Sequence, residues 1–368
     1  MANREAFPTV SLMLPIQWEG PGQTGIHIRL KNLCAQAEEK LEAGGVSSSV
    51  VRARFDFLQE TASKQVWLHQ NEGLAVFISP TSFEMIRTPY PLAERIVIDD
   101  RPFIRALLQM THNENFYIIV VDKHGPRFIR ADRYRAVELD IPELPKGIEE
   151  VVKLHSPQKQ LQAHSAGHYG SAGAAILHGS RNSQDERKDH IRQFCLAIER
   201  AVRPAWILNQ APIVLAGDNY ETQIFREVTN LPLWHGAPEG SMKMASADQI
   251  RAAAWPLIEP EFNVERVRAQ LLFRQLHGTG KATTDLAEIL REAPAGRVGS
   301  LFIRDDATVW GSAQETWPPN EGEAPLNAET HELLNLAAVR CLETQSHVYE
   351  CTPSEMPVEA PVAAVYRY

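Results

Sequence analysis

The chain has 368 residues, of which 44% are hydrophobic and 23% charged, with a formal net charge of -9 and a pI of about 5.8. That length allows two or three domains of ordinary globular composition. The acidic balance argues against indiscriminate nucleic-acid binding but leaves room for a local basic face, and no apolar run is long enough to span a bilayer.

Residues 8–16, PTVSLMLPI, read as a first strand. A helix over 29–42 follows, with Leu30, Leu33, Cys34, Ala37 and Leu41 on one face, and Gly44-Gly45 ends it. A second helix is predicted over 50–60. GLAVFIS (73–79) reads as a strand, EMIRTPY as its partner and IRALLQM (104–110) as a short helix. Between 116 and 140, FYIIVVD, RFIRAD and RAVELD form three strands joined by tight turns.

Residues 155–183, HSPQKQLQAHSAGHYGSAGAAILHGSRNS, then break every periodicity and read as a long loop. Loops of this length inside domains are commonly functional or disordered. A helix over 184–209 has the stripe Ile191, Phe194, Cys195, Ile198 and Val202, with a kink or end expected at Pro204. PIVLAG (212–217) has the continuous apolar character of a buried strand, and a short helix over 220–229 follows.

Residues 246–276 read as two helices, with Pro256 and Pro260 in the stretch. GTGK (278–281) marks a turn before a helix capped by Thr283 or Thr284. It lacks the spacing of a phosphate loop. Leu301 to Ile303 is a strand, 316–325 a solvated loop, ETHELLNLAAVRCLET a helix, and HVYEC and AAVYRY strands. The pattern gives three α/β modules: 1–114, 115–242 carrying the loop, and 243–368.

The four cysteines, Cys34, Cys195, Cys341 and Cys351, form no Cys-x-x-Cys, and MANREAFPTV lacks a secretory signature. Buried free thiols in a cytoplasmic protein are expected, with no membrane association. His164 and His168 are four apart, but the glycine-rich surroundings do not favour a helix and no further ligand completes a set. No metal or cofactor is expected. Over 123–135, Lys123, Arg127, Arg130, Arg133 and Arg135 stand against Asp132 alone, a formal charge of +4. Such a basic strand face either tracks an RNA backbone or is simply solvated.

The order of strand, hairpin, Leu144-Pro145-Lys146, loop, basic-start helix DERKDHIRQFCLAIERAV and strand APIVLAG resembles the archaeal/eukaryotic class-1 peptide-chain release factors and Pelota. Most similar are their bacterial relatives, the bacterial archaeo-eukaryotic release-factor-like families. HGTGKATTDLAEILREAPAGRVGSLFIRDD is similar to the start of the family's third domain, GLAVFIS to the end of its first, and WPLIEPEF to a trait of the bacterial relatives. The resemblance implies a ribonuclease-H-like central domain of mixed sheet and helices, and a C-terminal α/β sandwich. It also implies a loop that, in release factors, carries a Gly-Gly-Gln tip and helps water attack the ester of peptidyl-tRNA.

Here the tip departs. The loop offers Gly170-Ser171-Ala172-Gly173 and His178-Gly179, while Gln158, Gln160 and Gln162 have no glycine pair beside them. The codon-recognition motif Asn-Ile-Lys-Ser is also missing from TGIHIRLKNL (24–33). The resemblance therefore implies a ribosome- or tRNA-engaging factor in rescue or quality control, not a decoder of stop codons. The loop tip would be His168, Gly170, Gly173, His178 and Gly179, with His178 as candidate general base or RNA contact.

Two other readings stay open. One is a non-catalytic RNA-binding or protein-interaction scaffold. The other is a metal-assisted nuclease or hydrolase using Asp122, Asp132, Asp140 and Asp218 at strand ends. Whether the chain is an enzyme, and its oligomeric state, are not decided by the sequence. DNA is not an expected partner.

Overall fold

A computed structural model describes residues 7–16, 24–64, 72–111, 114–155, 180–238, 242–312 and 330–368. Two compact units emerge, one formed by Met1–Asn113 with Val264–Tyr368 and the other by Glu114–Asn263.

The first part of the discontinuous unit contains β1 (Thr9–Pro15), α1 (Thr24–Ala43), α2 (Ser49–Lys64), β2 (Gly73–Ile78), β3 (Phe83–Thr88) and β4 (Arg95–Asp99). The strands form an antiparallel sheet ordered β3-β2-β1-β4. Alternation along β1 and β2 turns Val10, Leu12, Leu14, Leu74 and Val76 to one face, where they pack with Leu30, Leu33 and Phe55 of the helices. Gly45, at φ 74, ends α1 in the left-handed region that favours glycine. IRALLQM forms the expected short helix, of the tighter 3-10 kind, over Arg105–Thr111. Its entry is held by a side chain: Asn335 Oδ1 accepts from the N–H groups of Ile104 and Arg105.

The central unit contains β5 (Phe116–Val121), β6 (Arg127–Ala131), β7 (Ala136–Glu138), α3 (Ile148–His155), α4 (Ser180–Ile207), β8 (Ile213–Gly217), α5 (Asn219–Val228) and α6 (Ala247–Phe262). Its sheet runs β7-β6-β5-β8; the three meander strands are antiparallel, and β8 lies parallel to β5. One face packs on the α4 stripe Ile191, Phe194, Cys195, Ile198 and Val202. Each such side chain contributes roughly 1.5–3 kcal/mol when fully buried. The opposite face, Phe116, Ile118, Val120 and Ile129, packs on Ile250, Ala254 and Ile258 of α6. That helix therefore belongs to the core of the central sheet.

Some boundaries shift from those read in the sequence. α4 starts at Ser180, so residues 180–183 are helical, and His155 closes α3. Pro204 lies inside α4 without ending it. α6 runs through Pro256 and Pro260, and the break falls at Asn263. The two prolines are four apart on the exposed row of the helix, so the carbonyls they free face solvent rather than the core.

The chain then returns to the first unit with α7 (Val264–Leu276), β9 (Ala282–Thr283), α8 (Leu286–Glu292), β10 (Val298–Arg304), β11 (Trp310–Ser312), β12 (Thr330–Glu332), α9 (Leu333–Glu343), β13 (His347–Cys351) and β14 (Val362–Tyr366). The sheet β13-β10-β14-β9 has α8 and α9 on one face and α7 on the other. Asp285, not a threonine, caps α8: its Oδ1 accepts from Ala287 N at 2.9 Å. Thr330, His331 and Glu332, read from sequence as helix, instead pair as β12 with β11. Among the described residues no helix is long and apolar enough to cross a membrane.

Candidate functional site

In the central unit the register pairs Val121 with Gly217 at the ends of parallel β5 and β8. The next residues, Asp122 and Asp218, therefore leave the sheet side by side. Gly217 has φ 136, and a Cβ there would meet Val121 O at 2.4 Å. The close approach of the two strand ends thus requires glycine. Both aspartates brace the backbone that follows them: Asp122 Oδ1 accepts from His124 N at 2.9 Å, and Asp218 Oδ1, the N-cap of α5, from Tyr220 N at 3.0 Å.

A cleft of about 600 Å³ opens above them. Buried Glu221 forms part of its lining, ion-paired to Lys123. Pro238 and Met242 give it an apolar wall, and exposed Lys243 stands at the edge.

The other two strand-end carboxylates do not join this cleft. Asp132 accepts from Tyr134 N at 2.6 Å and Arg135 N at 2.7 Å, closing the β6–β7 turn. Asp140 is exposed beyond β7.

The basic hairpin does not form one uninterrupted positive face. Arg127 and Arg130 are three apart on a strand and so point to opposite sides of the sheet. Arg127 is paired with Glu138, Nη2 to Oε2 at 2.7 Å, and its Nη1 donates to Ala245 O at 2.7 Å. Lys123 is neutralised by Glu221. Arg133 lies over the Trp255 ring at 5.8 Å, Arg135 lies past the turn, and Arg130 is exposed.

A second groove, about 480 Å³, lies between α3 and α4, with Ile148, Val152 and Ile191 at its base and Lys153, Arg187 and His190 beside them. Residues 156–179 connect these two helices in sequence. His168, Gly170, Gly173, His178 and Gly179, the loop-tip residues, lie outside the described residues.

Sequence reasoning missed a buried polar cluster in the other unit. Asp99, Asp100 and His331 bring three potential ligand atoms within 4.8 Å of one another. Asp100 and Asp99 hydrogen-bond the imidazole and push the His331 pKa up to about 9, so it is protonated at neutral pH. Its Nδ1 donates to Asp99 Oδ1 at 2.7 Å, while Asp99 Oδ2 accepts from Glu332 N at 2.9 Å. Burial disfavours the Asp100 charge, but hydrogen bonds from His331 and Arg101 prevail and hold its carboxyl well below the usual range. An imidazolium and a guanidinium already occupy these carboxylates. A metal ion would have to displace both, and the set does not fit one.

Next to it, fully buried Arg105 and Glu332 face each other at 3.4 Å. Arg105 Nη1 also donates to Ala307 O at 3.0 Å and Nη2 to Arg304 O at 2.8 Å. Glu350 Oε1 is 3.8 Å from Arg105 Nη2, and burial raises its pKa to about 7. These groups join β4 and the following turn to β12, α9 and β13. The arrangement is a staple, and its only sequence signals are the Asp99-Asp100 pair closing an apolar strand and the adjacent His331-Glu332.

The four cysteines are free and buried. Burial pushes each thiol up to about 12, which makes them poor nucleophiles.

The central layout, a meander with a fourth strand parallel to its first and helices on both faces, defines a release-factor-like protein when joined to its sequence match. Bacterial archaeo-eukaryotic release factor family 3 matches residues 115–297, and the chain belongs to this release-factor-like family. Solved structures give weaker likenesses. An archaeal translation termination factor, aRF1, is 14% identical over 98% of this chain and 92% of its own, with a TM-score of 0.25. Archaeal Pelota, from a ribosome-bound model with ABCE1, is 9% identical over 98% and 90%, with a TM-score of 0.37. Dom34 of S. cerevisiae, a translation termination-like factor, is 10% identical over 84% and 77%, with a TM-score of 0.35. Superpositions at these scores carry no weight for function. No curated protein sequence matches the chain.

Proposed function

We propose that this chain is a cytoplasmic ribosome- or tRNA-engaging factor that acts in ribosome rescue or translation quality control and does not read stop codons. The observation that carries this reading is the family match across 115–297, coupled with a connecting segment that keeps its place between α3 and α4 but lacks Gly-Gly-Gln. The strand order of the central sheet supports a ribonuclease-H-like reading of that domain.

In this reading residues 156–179 are the RNA-contacting arm, with His168, Gly170, Gly173, His178 and Gly179 at its tip. Exposed Arg130, with Lys153 and Arg187 beside the arm's two ends, adds phosphate contacts. Without the Gly-Gly-Gln tip, hydrolysis of peptidyl-tRNA is not part of the proposal.

A tagged chain sedimented through a sucrose gradient tests this. Co-migration with stalled or empty ribosomes is expected, and a chain found only in the free-protein fractions under all conditions overturns it.

The scaffold reading draws support from the ion pairs that neutralise Lys123 and Arg127. It predicts that replacing His178 and the loop glycines leaves cellular activity unchanged. The nuclease reading has less support, since Asp132 and Asp140 are directed elsewhere.

A further inference from the structure

We propose that the joint between the first part of the discontinuous unit (7–111) and its second part (264–368) is a proton-operated latch, closed while Glu350 is neutral and loosened when Glu350 ionises. This inference goes beyond the translation reading and does not depend on it.

The build of the joint is the first argument. Each part has its own sheet and its own apolar core: β3-β2-β1-β4 packs on α1 and α2, and β13-β10-β14-β9 on α7, α8 and α9. Among the described residues, Leu108 is the one side chain of the first part that enters an apolar cluster of the second. Beside it the joint is built from polar groups. Asn335 Nδ2 donates to Pro102 O at 2.9 Å, and its Oδ1 accepts from Ile104 N at 2.9 Å and Arg105 N at 3.3 Å. Arg105 reaches Ala307 O, Arg304 O, Glu332 and Glu350, while its buried Nε has no hydrogen-bond partner. Water can replace such contacts on opening, so a joint of this kind parts at less cost than either apolar core.

The charge balance around Glu350 is the second. Arg105 and half-buried Arg95 face Glu332, Glu350 and exposed Asp305. With Glu332 and Asp305 ionised, the two guanidiniums are already balanced, and a charge on Glu350 is the one in excess. The Glu350 side chain is 13% exposed, so in the closed joint that charge has little water. Burial holds its pKa up to about 7; Arg105 and Arg95 oppose the rise, and Asp305 and Glu332 add to it. Opening hydrates the carboxyl and returns it to its ordinary value near 4.5. Between these values opening releases a proton, so each pH unit in the window favours the open form by up to about tenfold. Acid closes the latch.

Hydrogen exchange on the full chain, corrected for the intrinsic pH dependence of amide exchange, tests this. The amides of Ile104 and Arg105 report the joint, and those of β1 and β10 report the two cores. From pH 5 to pH 6.5 the opening constant at 104–105 should rise at least about tenfold, while β1 and β10 remain protected. Glu350→Gln should flatten this rise. Asp305→Asn, at an exposed position, removes a negative charge that opposes ionisation and should shrink it. Leu108→Ala should speed exchange at both pH values and leave their ratio unchanged. An opening constant that does not change with pH, a rise that survives both Glu350→Gln and Asp305→Asn, or exchange at 104–105 only in step with β1 and β10 overturns the inference.

Discussion

Glu332 shows how much a single residue can organise. It caps α9 through Oε2 to Asn335 N at 2.6 Å, accepts Val309 N on Oε1 at 3.1 Å and faces Arg105. Replacing it with alanine leaves the Arg105 charge buried and short of a partner, so Glu332→Ala should cost about 3–5 kcal/mol, read by urea denaturation. The same cluster sets a pH dependence. The native state holds protons on Glu350 up to about pH 7 and on His331 up to about pH 9, each above its ordinary value. Between the ordinary and the raised values the folded chain binds more protons than the unfolded one. Stability is therefore greatest toward the acidic end of this window and falls as pH rises through 7 and then 9. Thermal melts should show a lower Tm at pH 9.5 than at pH 6, and Glu350→Gln should remove the part of the decline that lies near neutrality. The pairing itself was not legible in the sequence, because Asp99 and His331 are 232 positions apart and only the folded unit brings them together.

Elements were more legible than contacts. The stripe on α4 and the continuous apolar run of β8 had one physical outcome each, a buried helix face and a buried strand. Boundaries failed where a side chain or solvent decided them. Asp285 rather than a threonine caps α8, and the exposed row of α6 tolerates two prolines. The basic hairpin also misled at this scale. A charge count of +4 does not record that strand alternation sends Arg127 and Arg130 to opposite faces, or that Glu138 claims Arg127. Two substitutions on β6 should consequently behave differently. Arg127→Ala should destabilise the central unit by about 1–2 kcal/mol, because it breaks an ion pair and a hydrogen bond to Ala245 O. Arg130→Ala should leave stability within about 0.5 kcal/mol and weaken RNA binding in a salt-dependent filter assay. At the strand end, Gly217→Ala places a Cβ 2.4 Å from Val121 O and should cost more than about 2 kcal/mol.

At the scale of the whole molecule, the sequence of elements from 116 to 228 was enough to point to the release-factor-like family, which the match over 115–297 bears out. The site was only half legible. Asp122 and Asp218 stood out as strand-end carboxylates, but their convergence needed the parallel register of β5 and β8, and Glu221 and Lys243 carried no motif at all. The proposed role depends on residues 156–179 meeting RNA on the ribosome. The most direct measurement is a photo-crosslinking amino acid placed at Gly170 or His178 and irradiated with purified ribosomes present or absent. Crosslinks to ribosomal RNA or tRNA that require the ribosome are predicted. Ribosome binding with crosslinks only to protein, or no ribosome-dependent crosslink at either position, would contradict the proposal.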